Sequence, residues 1–300
     1  MRILLTGSSG FLGSFFFDKL SQYHVVDTIS RTNSKFHINL VKEIPSFELS
    51  YDVVIHCAGR AHYTPGGKTE IREFYRENID ISENLLLGLS KTCKPSNFVF
   101  ISSVAVYGKS VGHLINEQSE LNAMEPYGIS KVQAEQLILK WCTENNVTCT
   151  ILRLPLVVGL NPPGNLGDMI KGIRKGYYYN IAGGKAKKSM VLASDVAKFL
   201  LKASETGGIF NLTDGYHPSF FELSENLSRQ LGKSRTKNLP FWLAKYIART
   251  GDVFGAKAPL NSLKLKKITS DLTFDDSKAR EAFGWHPTPV LEGFDISEII

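Results

Sequence analysis

Tyr127 and Lys131 stand four residues apart in the run Pro126-Tyr127-Gly128-Ile129-Ser130-Lys131. On a helix that spacing puts both side chains on one face, with the ammonium beside the phenol. Pro126 suits the first turn of such a helix. A free tyrosine titrates near pH 10, too high for a base near neutrality, and an adjacent cation favours its ionised form. The pair is therefore expected to perform acid–base chemistry. On its own, an i, i+4 pair is more often an ordinary exposed helix face. A third group changes the balance. Phe100-Ile101-Ser102-Ser103 places two hydroxyls at the C-terminal end of an apolar run that reads as a buried strand. In an open α/β sheet, that edge is where ligands bind. Ser103 is expected to bond a reacting carbonyl or hydroxyl and aim it at Tyr127.

A second pattern opens the chain. Thr6-Gly7-Ser8-Ser9-Gly10-Phe11-Leu12-Gly13 follows one apolar run directly and begins a helical pattern. Its glycines fall as G-x-x-G-x-x-G, not G-x-G-x-x-G. Gly7 permits a tight turn, Gly10 a close approach of backbone to pyrophosphate, and Gly13 close packing of helix on strand. Ser9, Phe11 and Leu12 complete a loop whose free N–H groups and helix dipole favour diphosphate charge. The expected ligand is a dinucleotide. Its type depends on the end of the second strand, where an acid bonds a ribose diol and a base accommodates a 2′-phosphate. The run His24-Val25-Val26-Asp27-Thr28-Ile29-Ser30-Arg31 ends on Arg31. NADP is expected over NAD; a strand ending two or three residues sooner would give the diol to Asp27 and reverse the preference.

These residues need a scaffold. Apolar runs at 2–6, 25–30, 52–57, 97–102 and 148–154 read as strands, and 11–21, about 70–91 and 126–144 as helices. The alternation predicts an α/β fold: a Rossmann-like, doubly wound parallel sheet with a smaller C-terminal substrate-binding lobe. Residues 1–160 are expected to form the dinucleotide-binding lobe, with some later strands returning to its sheet. Residues 161–300 are expected to form mainly the substrate lobe. The composition, 43% hydrophobic and 21% charged over 300 residues, is that of a globular chain. No run is long enough to span a bilayer, and the start is too short before its glycines for a signal peptide. Cys57, Cys93, Cys142 and Cys149 have no Cys-x-x-Cys spacing and no partnering histidines. They read as reduced thiols of a cytoplasmic protein without a metal site.

Taken together, these motifs resemble an extended short-chain dehydrogenase/reductase of the nucleotide-sugar epimerase/dehydratase/reductase kind. The resemblance runs nearly the whole length. It includes the glycine loop, Asp52-Val53-Val54-Ile55-His56-Cys57-Ala58-Gly59, the Ser103–Tyr127–Lys131 set and Leu152-Arg153-Leu154-Pro155-Leu156-Val157-Val158-Gly159. It ends with Asp275-Asp276-Ser277-Lys278-Ala279-Arg280 and Phe283-Gly284-Trp285-His286-Pro287. The resemblance implies an NAD(P)-dependent oxidoreductase with Ser103, Tyr127 and Lys131 as the catalytic set. Ser102, Tyr127 and Lys131 would also border the cofactor. Cys57, Ala58 and Gly59 would line its adenosine side, Asn78 would be the sheet-facing asparagine, and Leu154 and Pro155 would position the nicotinamide. Asn165 and Lys188 fall where relatives contact the substrate diphosphate. Many of them carry arginine at the latter place, and a lysine is a point charge, not a fork. A homodimer through the two long helices is implied as well.

The resemblance also narrows the reaction. Family dehydratases carry Asp-Glu just after the Ser or Thr of the triad, whereas this chain has Val104-Ala105, so dehydration is not expected. Reduction of a 4-keto sugar and 4-epimerisation through a transient ketone remain. Arg31 tilts toward an NADPH-using reductase. Stretches around 152–159, 210–215 and 263–265 are similar to bacterial UDP-4-keto-6-deoxy-N-acetylhexosamine reductases of surface-polysaccharide pathways. The alternative is a UDP-sugar 4-epimerase with retained NAD. A non-catalytic dinucleotide-sensing regulator of the same fold would be expected to lose the Tyr–Lys pair, which is kept here.

Charge is unevenly spread. The stretch 233–267 holds nine Lys or Arg against one acid, Asp252, an excess above the whole-chain +6. A solvated basic face, nucleotide diphosphates and anionic membrane surfaces are the readings it allows. No nucleic-acid-binding module accompanies it. Within it, 240–250 carries apolar residues on more than one face and is expected to pack or lid the second lobe, or to touch a membrane peripherally.

Overall fold

The computed structural model describes residues 1–32, 34–60, 68–92 and 94–296. Cys93 and residues 61–67 of the helix-leading segment lie outside them. The chain runs β1 (Arg2–Thr6), α1 (Phe11–Leu20), β2 (Val25–Ser30), β3 (Phe36–His37), β4 (Val53–His56), α2 (Lys68–Ser90) and β5 (Asn97–Ser103). A short 3-10 turn, Val104–Tyr107, leads to β6 (Gly112–Ile115), α3 (Pro126–Glu144), β7 (Thr148–Leu154), β8 (Leu156–Val158) and α4 (Gly164–Arg174). Then come β9 (Tyr179–Ile181), β10 (Met190–Leu192), α5 (Ala193–Thr206), β11 (Gly208–Asn211), α6 (Phe220–Gln230) and β12 (Lys237–Leu239). The last elements are α7 (Phe241–Gly251), α8 (Ser262–Thr269), β13 (Leu272–Phe274), α9 (Ser277–Phe283) and α10 (Val290–Gly293).

Seven strands form one sheet in the order β11-β7-β5-β4-β1-β2-β3, with every pairing parallel. The order reverses between β1 and β4, so a crevice opens where the chain leaves those two strands. Residues alternate between faces along each strand. Ile3 and Leu5, Val53 and Ile55, and Val99 and Ile101 face a core shared with Phe16 of α1 and Leu200 of α5. Leu4, Val54, Phe98 and Phe100 face the other core, shared with Leu85 of α2 and Ile138 of α3. Burial on both faces is why these runs are continuously apolar. The later residues build a third core from Ile170, Leu223, Leu227 and Phe294. β11, from the later part of the chain, pairs with β7 in the main sheet. Three two-stranded pairs (β10 with β8, β12 with β9, β13 with β6) carry the remaining segments.

Candidate active site

The turn after β1 is tight because glycine alone fits it. Gly7 has φ 76°, and its N–H donates to the carbonyl of Ile29 at 3.0 Å. A Cβ on Gly7 would lie 2.7 Å from the Ala58 nitrogen, and one on Gly13 2.1 Å from the Gly7 carbonyl oxygen. Gly10 is the N-cap of α1, and no side chain caps the helix there. The first-turn N–H groups are thus left for an anion.

The facing turn, after β4, is held by buried polar groups. Thr6 Oγ1 accepts from the Ala58 N–H at 3.1 Å and lies 2.7 Å from His56 Nδ1. His56 Nε2 in turn meets Ser82 Oγ at 3.0 Å. Asn78 accepts from the Arg60 N–H at 2.7 Å and donates to the Arg60 carbonyl at 3.3 Å. Asn78 therefore clamps the Cys57–Arg60 turn and is not among the side chains that line the cleft described below. Only the resemblance drew attention to it; Thr6 and Ser82 carried no sequence signal.

His56 is fully buried, and loss of water drives its pKa from 6.5 down to about 3, with nearby Lys131 adding to the effect. The unfolded imidazole protonates near pH 6.5, the folded one only near pH 3. Stability from the neutral ring is thus complete above pH 6.5 and is lost as pH falls across that interval, by on the order of 4 kcal/mol. Urea unfolding at stepped pH should show that loss in the wild type and a flatter profile in His56→Gln. Equal acid slopes would remove His56 from the account.

At the other end of the crevice, α3 brings Tyr127 and Lys131 beside the end of β5. Lys131 donates to the Ile101 carbonyl at 2.9 Å and stands 4.6 Å above the Phe100 ring. Burial lowers its pKa to about 8, against the opposing pull of Cys57 and Glu135. Burial pushes the Tyr127 phenol up to about 12, opposed by a hydrogen bond from Ser103. The expected lowering is thus not present in the protein alone, because desolvation outweighs the favourable groups. A cation brought in beside the phenol acts in the needed direction. Ser103 Oγ accepts from the Ala105 N–H at 3.2 Å, which fixes the oxygen while its proton serves Tyr127 or an incoming carbonyl oxygen.

One cleft of about 430 Å³ joins these parts, running from Gly7, Gly10 and Arg31 past Cys57, Ala58 and Gly59 to Ser103, Tyr127 and Lys131. Ser9, Phe11, Leu12, Gly13, Ser102, Leu154 and Pro155 also line it. Arg31 follows the last residue of β2 and is exposed, with no ion pair among the described residues. Asp27 lies deeper in the strand, where Lys35 at 2.8 Å, Arg2 at 3.1 Å and the Tyr51 hydroxyl at 3.1 Å take its carboxylate. Those contacts all fall on Oδ2 of a buried side chain that does not line the cleft, which weighs against Asp27 as the ligand of a ribose diol.

Two expected substrate contacts stand apart from the cleft wall. Asn165 is exposed in the first turn of α4, two residues beyond Pro163, which does line the cleft. Lys188 Nζ donates to the carbonyls of Lys267 at 2.9 Å and Ser270 at 2.8 Å. It ties the end of α8 to the preceding loop, so its charge is committed to the fold and does not face the cleft. Glu135, which the sequence reading passed over, lies at the centre of a buried network. It accepts from Ser102 Oγ at 2.5 Å and from Arg153 at 3.1 and 2.7 Å. Its signal was present in the spacing: 127, 131 and 135 share one helical stripe.

A glycine turn against an uncapped helix, opposite a Tyr–Lys–Ser cluster in one cleft at the switch point of a parallel sheet, defines a dinucleotide-binding oxidoreductase of the Rossmann type. Residues 3–213 match the family described as NAD dependent epimerase/dehydratase, and the chain belongs to that family. It is 27% identical to a UDP-glucose 4-epimerase of Vibrio cholerae over 97% of this chain and 93% of the relative. It is 25% identical to an N-acetyl-alpha-D-glucosaminyl-diphospho-ditrans,octacis-undecaprenol 4-epimerase of Escherichia coli O157:H7, covering 98% and 93%. Among solved structures, RMD from Pseudomonas aeruginosa complexed with NADPH superposes with a TM-score of 0.76 at 20% identity, covering 97% of this chain and 96% of that one. The protein is an NAD(P)-dependent enzyme, and its crowded glycine turn, uncapped helix and continuous cleft fit such a dinucleotide. No helix among the described residues is long and apolar enough to cross a membrane.

Proposed function

We propose that the protein reduces the 4-keto group of a nucleotide-linked sugar with NADPH, with UDP as the carrier and a deoxy-N-acetylhexosamine as the sugar. The observation that carries the cofactor choice is Arg31, a cation at the end of β2 with no ion pair among the described residues, set against an Asp27 whose Oδ2 already holds two cations and a tyrosine hydroxyl. A bound nicotinamide supplies or accepts hydride at the sugar carbon. The chain's own groups handle the proton. Tyr127 gives its phenolic proton to the carbonyl oxygen, Ser103 donates a hydrogen bond to that oxygen, and Lys131 favours the phenolate left behind. Residues beyond β8 supply the wall that receives the sugar and its diphosphate, with Asn165 at its rim. Val104 and Ala105 offer no carboxyl for water elimination.

A second reading, 4-epimerisation with retained NAD, is favoured by the names of the two full-length relatives above, both 4-epimerases. One incubation separates the two. Net NADPH consumption with a UDP-linked 4-keto-6-deoxy-N-acetylhexosamine supports reduction. Interconversion of UDP-GlcNAc and UDP-GalNAc without net consumption supports epimerisation. Arg31→Ala is expected to raise KM for NADPH by about 10–100-fold, the worth of a charge-assisted phosphate contact, and to leave KM for NADH within about twofold. Equal effects on both cofactors would take the 2′-phosphate away from Arg31.

A further inference from the structure

Helix α7 packs inside out. Ala244 and Ala248 are fully buried against Leu265 of α8, and Gly251 continues that small inner face. The large apolar residues point the other way: Trp242 is 71% exposed and Tyr246 67%, with Phe241 also exposed. Just beyond the helix Phe254 is 72% exposed, and Val253 and Leu263 are exposed as well. At 3.6 residues per turn, positions 242, 246 and 249 form one ridge opposite 244, 248 and 251. A surface helix normally buries its large apolar side and exposes its polar one. The helix does pack on the second lobe, but through its alanines, which leaves the aromatic residues outside. An exposed apolar area of this kind marks an interaction site.

The charges around it narrow the partner. Lys245, Arg249 and Lys266 are exposed and form no ion pair among the described residues. Asp252, the one acid of the stretch, has its carboxylate taken by the Ser262 N–H at 2.8 Å and hydroxyl at 2.6 Å. Asp252 keeps its charge but is outnumbered by these three cations, so the face is net positive. Tryptophan and tyrosine combine an apolar body with a polar tip and suit the headgroup layer of a bilayer. Lysine and arginine can lay their stems on apolar surface and keep their charge at the lipid phosphates. Placement adds a further point. Lys267 of α8 reaches Glu125 at 2.7 Å, the N-cap of the helix that bears Tyr127. The patch therefore borders the active-site end of α3.

We propose that α7, the turn after it and α8 form a docking surface for the anionic face of a lipid bilayer. The surface holds the enzyme peripherally, with the head of α3 close to the membrane. This goes beyond the reaction assigned above and stands without it. The full-length protein is expected to cosediment with vesicles of phosphatidylcholine and phosphatidylglycerol, and not with phosphatidylcholine alone. Of the three tryptophans, Trp141 and Trp285 are buried, so Trp242 reports the contact. Its emission should shift to the blue and be quenched by brominated acyl chains. Charge reversal of Lys245 and Arg249 to Glu should weaken partitioning by about 25-fold or more, at roughly fivefold for each lost charge. Trp242→Ser with Tyr246→Ser should abolish cosedimentation with the anionic vesicles. Both pairs are exposed, so circular dichroism and turnover of a soluble substrate should match the wild type; that turnover tests the reaction separately. Wild type that stays in the supernatant, or binding indifferent to the aromatic pair, overturns the proposal. So does a wild-type dimer that the aromatic pair dissociates, since a second copy would then cover the patch.

Discussion

Tyr127→Phe is expected to lower kcat by about a thousandfold, within the roughly 10²–10⁴ range of a positioned acid–base group, and to leave dinucleotide affinity within a factor of two. The ring stays, so the cleft keeps its shape and loses one proton-bearing oxygen. Binding is expected to persist because the glycine turn, the uncapped start of α1 and the Cys57–Arg60 turn lie elsewhere along the cleft. The phenol starts from about 12 in the protein alone, so nearly all of its molecules carry the proton needed for reduction. Lys131, lowered to about 8, retains enough charge at neutral pH to favour the phenolate formed on transfer. Stopped-flow turnover with a fluorescence titration of NADPH separates the two quantities. A variant that kept most of its rate would assign the proton to another residue. One that lost cofactor binding in proportion would make Tyr127 a cofactor contact and no more.

The second large effect is on the fold. Glu135→Ala should destabilise the protein by about 3–5 kcal/mol, because it leaves the Arg153 guanidinium buried without its partner. Both side chains are 2% exposed, and their closest contact is 2.7 Å. Arg153 also donates to the Tyr107 hydroxyl at 3.1 Å, and that hydroxyl donates to Asn211 Oδ1 at 2.8 Å. The network thus ties α3 to β5, β7 and β11. Replacing both charges together, Glu135→Met with Arg153→Met, should cost less than Glu135→Ala alone, since no charge is then stranded. Denaturant unfolding of the three proteins measures this. A double variant as unstable as the single one would mean that the network acts through its hydrogen bonds and shape, not its charge.

Much of this could be read from the residues in order. Ile3-Leu4-Leu5, Val53-Val54-Ile55 and Phe98-Val99-Phe100-Ile101 announce strands buried on both faces, because period-two geometry leaves no polar side to such a run. Gly7, Gly10 and Gly13 announce a phosphate turn, because each removes a side chain that the backbone would otherwise meet. Tyr127, Lys131 and the overlooked Glu135 announce one face of a helix through spacing alone. What no local pattern carries is the direction in which a side chain finally points. Asp27 lies on β2 and Arg31 just past its end, yet Tyr51 and Lys35 claim the first while the second has no ion pair among the described residues. Lys188 has the charge for a diphosphate, but two carbonyls from the end of α8 hold it. Trp242 and Tyr246 look like core residues until Ala244 and Ala248 take the inner face. Period, turn chemistry and helical spacing are short-range properties and belong to the sequence. Burial, pKa and the choice among competing partners depend on residues far away in the chain, so only the tertiary structure decides them.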